Sequence, residues 1–212
     1  MNQQHMDEKI MEYINYSPES VQGASTEAKQ EKTWTEEEIK KAIESGTELI
    51  YQEKSLQFIP FRMLKKQITI YLPDEFNLMS EEMAALKYPG RQLPQIICSD
   101  PVGEVNVTFS HTEHQLLEGS AQSFQQSMAA SLKKMQPSAE FLSEAIIDNK
   151  DLQIAYFEVL LPAIDGKTYN LMYCCSLQQK ALLGSINCPQ EIMPFWQSAA
   201  KAMVTKLKIQ PQ

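Results

Sequence analysis

Apolar positions along the chain change period several times, and each change marks an element. Residues 35–45 repeat at helical spacing. Thr35 stands where an N-cap belongs, and Glu38 can reach back to its N–H, which makes a capping box. Trp34 and Ile39 flank the cap at the spacing of a hydrophobic staple, and Gly46 supplies a left-handed stop. The pattern then becomes β-like. Thr47–Tyr51 and Leu56–Phe61 are apolar and β-prone, and Gln67–Leu72 alternates with period two until Pro73-Asp74 breaks it. Ser80 can cap a short helix over Glu81–Leu86, which Lys87-Tyr88-Pro89-Gly90-Arg91 ends. Pro94–Cys98 and Glu104–Ser110 predict a hairpin around Asp100-Pro101-Val102-Gly103.

Residues 113–135 hold the longest helical pattern, with Leu117, Ala121, Phe124, Met128, Leu132 and Met135 on one face and Pro137 as the stop. Strands are predicted over 140–147, 152–161 and 168–178, with a shorter one over Leu182–Asn187. A last helix runs from Pro189 or Gln190 to about Lys208, its apolar face made of Ile192, Phe195, Trp196, Ala199, Ala200, Met203 and Leu207. Helices separate blocks of hairpin strands and do not alternate with single strands. That order predicts an α+β layered sandwich, a central antiparallel β-sheet flanked by helices, and not a doubly wound parallel fold. Residues 1–33 read as a polar, mobile N-terminal extension with one weak amphipathic helix near Asp7–Ile14. Residues 34–212 read as a single α+β domain.

Composition narrows the function. Of 212 residues, 43% are hydrophobic and 22% charged, the balance of a globular chain. Net charge is −8 with 19 Lys and Arg, and no basic run exceeds a pair, so the chain lacks what a nucleic-acid backbone demands. Residues 1–46 carry ten acids and five Lys, more than half of that charge. The first residues show neither the basic and apolar regions of an export signal nor a lipidation signal. No apolar run spans a membrane. The expectation is a cytoplasmic protein without membrane insertion, its Cys98, Cys174, Cys175 and Cys188 reduced.

The stretch 67–112 carries a recognisable order of motifs: Leu72-Pro73-x-x-Phe76, a short helix ending Lys87-Tyr88-Pro89, then Pro94-Gln95-Ile96, a turn, and Val105-Asn106-Val107-Thr108-Phe109. It resembles the superfamily that holds the photosystem protein PsbP and the Ran-binding Mog-type proteins, in an uncharacterised bacterial branch. Leu183–Pro189 and the last helix fit its closing strand and helix, so the resemblance spans about 47–208. It implies a central antiparallel sheet flanked by helices and a role in binding proteins, with no shared catalytic set.

Candidate chemistry is sparse. His111-Thr112-Glu113-His114 offers two imidazoles and a carboxylate, but three apart and at a predicted strand-to-helix junction where Thr112 would cap the helix. Helical zinc sites place the two His four apart. Cys174-Cys175 lies within a strand, where neighbours face opposite sides, and lacks the spacing of a redox pair. No nucleophile elbow or Gly-rich phosphate loop occurs among seven glycines. The reading leans away from an enzyme and expects no cofactor and no metal site. It favours an intracellular protein-binding module, an adaptor or chaperone for a secreted or membrane-associated partner. The alternatives are a small-molecule or lipid-binding domain or unusual hydrolase with a pocket between sheet and helix, and a structural subunit of a larger assembly. The residues expected to meet a protein partner are Tyr88, Arg91, Met79, Met83 and Trp196, with a methionine-rich groove drawn from Met79, Met83, Met128 and Met135 among the chain's eleven Met.

Overall fold

The computed structural model describes residues 32–88, 93–149, 152–164 and 166–210. All but the last two residues of the expected extension 1–33, with its helix near Asp7–Ile14, lie outside the described residues, as does Arg91.

Helix α1 (Glu36–Ser45) begins as its text requires. The Thr35 side chain accepts from the Glu38 N–H at 3.3 Å while a Glu38 carboxylate oxygen accepts from the Thr35 N–H at 3.0 Å, and Gly46 closes the helix at φ 68°. Trp34 packs against the core and donates its indole N–H to the Ile50 carbonyl at 2.8 Å. Two short strands, β1 (Leu49–Tyr51) and β2 (Lys54–Leu56), form a hairpin, and β3 (Phe58–Met63) pairs with β4 (Ile68–Pro73). There follow β5 (Asn77–Leu78), α2 (Glu81–Lys87), β6 (Ile96–Ser99), β7 (Asn106–Gln115), α3 (Ala121–Met135), β8 (Glu140–Asn149), β9 (Leu152–Ala163), β10 (Gly166–Leu177) and β11 (Lys180–Pro189). A 3-10 turn, Gln190–Ile192, leads into α4 (Met193–Thr205), and β12 (Lys208–Ile209) ends the described chain.

The main sheet has seven strands in the order β5-β6-β7-β11-β10-β9-β8, every ladder antiparallel; a three-stranded sheet, β12-β4-β3, packs beside α4. Period-two alternation divides β9 cleanly. Leu152, Ile154, Tyr156 and Leu160 enter the large core with α1, α4 and the small sheet, whereas Ala155, Phe157 and Val159 meet α3 on the opposite face. The vicinal thiols obey the same rule: Cys175 enters the large core, and Cys174 faces α3, its Sγ 3.4 Å from the Ala121 carbonyl oxygen.

Three expectations need correction. The strand text at 56–61 divides into β2 and β3, because Gln57 leaves the ladder and its carbonyl accepts from the Asp74 N–H at 2.8 Å. The helix expected from 113 starts only at Ala121. His111–Gln115 continue β7, paired to β11 from Leu182 opposite His111 to Lys180 opposite Gln115, and Gly119 at φ 79° turns the chain before the helix. Thr112 therefore caps no helix; its hydroxyl donates to the Ala181 carbonyl at 3.0 Å. Finally, the last helix stops at Thr205, since Lys208 and Ile209 add to β4.

Candidate functional site

Near one edge of the main sheet, strand and helix leave apolar side chains uncovered. β5 pairs with β6 through Asn77 opposite Ser99 and Leu78 opposite Cys98, and the Met79 N–H extends the contact to the Ile97 carbonyl at 2.8 Å. Ser80 then caps α2, its hydroxyl accepting from the Met83 N–H at 3.3 Å, with Glu81 and Glu82 at the positive end of the helix dipole. Of the seven residues of α2 only Ala84 is buried. Leu78 is 72% exposed, Leu86 78% and Met83 46%, with Met79 half-buried before them. Asp74, Glu75, Glu81 and Glu82 surround this apolar stretch in sequence, all exposed.

The end of α2 is fastened to the sheet by polar contacts. The Lys87 ammonium donates to Asn106 Oδ1 at 3.3 Å; burial pulls its pKa below the usual lysine value against the fields of Asp100 and Glu104. Asn106, 2% exposed, donates onward to the Gly103 and Glu104 carbonyls and to Asn187 Oδ1. Half-buried Tyr88 hydrogen-bonds Asn187, and burial raises its phenol pKa while that bond opposes the rise. Lys87 and Tyr88 therefore anchor the corner that Leu78, Met83 and Leu86 display.

The other expected partner residues fall elsewhere. Trp196 is in the core at 3% exposure, packed edge-on to Phe195 and Tyr51 and tilted against Phe76, so it presents nothing to a partner. Phe195 beside it is equally enclosed and stacks on Tyr51. The four methionines make no common groove: Met79 and Met83 sit by β5 and α2, while Met128 and Met135 ride on α3 above β9 and β10, with β6, β7 and β11 between. Sequence reasoning missed Leu78 and Leu86. Leu86 was legible as the next member of the 79, 83, 86 series on one helical face.

Two constellations look chemical and are consumed by the fold. Glu158 is fully buried on β9. Its Oε1 accepts from Tyr169 at 2.7 Å and Gln197 at 2.8 Å; its Oε2 accepts from Ser143 and pairs with the Lys201 ammonium at 2.9 Å. Burial pushes its pKa up, and these four donors outweigh burial and hold it below the usual carboxylate value. With two donors on each oxygen, the carboxylate is saturated and clamps α4 to the sheet. In the second constellation, the His111 ring bonds the Leu177 carbonyl at 3.0 Å while the His114 ring lies against Phe124 under α3. The two imidazoles thus face opposite sides of β7, and the Glu113 carboxylate pairs with Lys180 at 2.6 Å. No cluster of His, Cys, Asp or Glu suited to a metal occurs among the described residues.

A half-open depression of about 1190 Å3 lies where the start of α3, the β10–β11 turn and residues 205–210 converge. Several of its polar groups are engaged in the fold, whereas Gln153 Oε1 has no hydrogen-bond partner among the described residues. Lys206 pairs with Glu44, Ser176 donates to the Leu116 carbonyl at 2.6 Å, and Gln153 donates to Asp148 at 3.1 Å. No helix among the described residues is long and apolar enough to cross a membrane.

This arrangement, an antiparallel sheet covered on both faces by helices with a short helix beside one edge strand, defines a layered α+β class. The chain has the PsbP-like fold: it is similar to the cyanobacterial PsbP of Synechocystis sp. PCC 6803 with a TM-score of 0.54 at 10% identity, over 72% of this chain and 92% of that one. It is similar also to LpqN of Mycobacterium tuberculosis, described as involved in cell envelope biogenesis, with a TM-score of 0.44 at 12% identity, over 76% of this chain and 94% of that one. The first of these likenesses shows the fold alone, and neither carries a function across. No protein-family model matches the chain, and no curated protein matches it.

Proposed function

We propose that the chain is a non-enzymatic, cytoplasmic protein-binding module, an adaptor or chaperone for a secreted or membrane-associated partner, which meets that partner at the β5–α2 corner. The observation that carries this reading is the exposure of Leu78, Met83 and Leu86 on elements fastened by the hydrogen bonds of Ser80, Lys87 and Tyr88. Burying one such side chain against a partner gives about 1.5–3 kcal/mol. Three of them supply the apolar centre that hot-spot interfaces use. The surrounding Asp74, Glu75, Glu81 and Glu82 favour a partner segment whose apolar residues lie between Lys or Arg. Kinship with the Mog-type Ran-binding branch belongs to this same reading and rests on the motifs of 67–109.

The test is a comparison of two baits, the full chain and its Met83→Glu/Leu86→Glu form, in extract of the native cell at matched concentration. The reading expects a stoichiometric partner on the first bait and its loss on the second, with the thermal midpoint unchanged. A partner that both baits retain equally contradicts it.

A further inference from the structure

The seven-stranded sheet ends in two edges, and they are unlike. β5 offers two residues, too few to template another strand. β8 offers ten, Glu140–Asn149, and is paired with β9 on one side only. In an antiparallel ladder every second residue turns its N–H and C=O away from its neighbour. Among the described residues no strand joins β8 on that outer side. Register slips between Phe141 and Ser143, a bulge that blunts the first part of the edge. From Ser143 opposite Glu158 to Asn149 opposite Leu152 the ladder is regular. Natural edges of this length are commonly guarded by Lys or Pro; the β8 text, EFLSEAIIDN, holds neither.

Charge indicates what would pair there. Glu144, Ile146 and Asp148 lie exposed along one face of the regular segment, with Ile146 at 37%. On the other face Glu36, in the first turn of α1 and paired with Lys40 at 3.3 Å, lies near. The Tyr156 phenol, opposite Ala145, lies within the fields of Glu36 and Lys40. Of the cations nearby, Lys40 pairs with Glu36 and Glu37, Lys167 with Glu140 and Lys201 with Glu158, while Lys133 on α3 lies over the Phe141 ring at 4.5 Å, before the bulge and outside the regular segment. A second copy of this chain would set its own acidic β8 against this one in a molecule of net charge −8. We infer that the outer edge of β8 accepts an extended basic segment of another polypeptide as an additional antiparallel strand, alternating Lys or Arg with apolar residues. Backbone hydrogen bonds supply the affinity in such strand addition, and the alternate side chains supply specificity. This surface is separate from the β5–α2 corner, and the inference does not rest on the function proposed for that corner.

The test titrates the full chain at low ionic strength with a short synthetic peptide of alternating Lys and Val, followed by amide hydrogen exchange. The expected result is slowed exchange over 144–148, binding that weakens with salt, no binding of a peptide of alternating Glu and Val, and at least tenfold weaker binding to Glu144→Lys/Asp148→Lys, whose thermal midpoint is retained. Absence of binding, or protection at the β5–α2 corner instead, overturns the inference. So does peptide-independent protection of β8 that rises with protein concentration, which assigns the edge to a second copy. Protection of β8 that disappears on deletion of residues 1–31 overturns it too, by assigning the edge to the chain's own N-terminal segment.

Discussion

The ring of Tyr173 on β10 lies across the backbone of Gly184 on β11 and meets Phe109 on β7 edge-on, at a centroid distance of 6.4 Å. The three residues are in register, Tyr173 opposite Gly184 and Gly184 opposite Phe109. A Cβ at position 184 would overlap Cζ and the hydroxyl of Tyr173, and the fully buried ring has nowhere to go. Gly184→Ala should therefore cost about 3 kcal/mol by overpacking, measured by urea denaturation. A loss under about 1 kcal/mol would show that the ring can move.

The Tyr173 hydroxyl has no hydrogen-bond partner among the described residues, and burial raises its pKa well above that of an ordinary phenol. An unpaired buried donor costs about 1–3 kcal/mol. Tyr173→Phe should leave stability unchanged or increase it. A clear loss in the same denaturation experiment would mean the hydroxyl is bonded in solution.

Glu158 and Lys201 should behave as a buried pair. Lys201→Met leaves the carboxylate charged and enclosed, and about 3 kcal/mol should be lost at pH 7. Because the Glu158 pKa is lowered in the folded state, its contribution is present above the unfolded carboxyl pKa and is lost as pH falls through the folded value. The penalty of Lys201→Met should accordingly shrink in acid. A pH-independent penalty would assign the loss to packing of the lysine stem.

The β10–β11 turn places Gln178 at φ 54° and Gln179 at φ 60°, a left-handed pair that side chains other than Gly and Asn disfavour. Gln178→Asn/Gln179→Gly should stabilise the protein by about 1–2 kcal/mol. The backbone bond from the Leu116 N–H to the Gln179 carbonyl, 2.9 Å, is unaffected by the change. A lower melting temperature would contradict this account of the turn.

All four thiols are buried and unpaired. Burial pushes Cys98 up to about 11 and Cys174 and Cys188 to about 12, and it raises Cys175 further, with Cys174 adding to the effect. Native protein at pH 8 should react with an aromatic disulfide reagent only at the rate of unfolding. Rapid labelling of any thiol would show local opening at that strand.

Local signals were strong enough to announce α1, with its Thr35–Glu38 box, and the strands from Glu140 to Leu177, among which β9 reads as the near-continuous apolar run of a strand buried on both faces. What failed was decided at long range. The text of 111–115 carries no mark of the β11 backbone that holds it extended, so helical spacing further on claimed it. Trp196 was legible on the apolar face of the last helix, but its expected place at a partner surface fails because Tyr51 and Phe76 close over it from other elements. The clamp around Glu158 could have been suspected from a lone acid within the apolar run Ile154–Leu161, though not its partners on β8, β10 and α4. At the corner, Met83 and Leu86 were legible from helical spacing, whereas Leu78 stands before the helix and carried no such signal.

The central claim is that the β5–α2 corner is where a partner docks. Its most direct test is amide hydrogen exchange on the full chain, alone and with the partner isolated by the wild-type bait. The account predicts that protection gained on binding concentrates within residues 77–88 and is absent for Met83→Glu/Leu86→Glu. Protection confined to other parts of the sheet, with 77–88 unchanged, would contradict it.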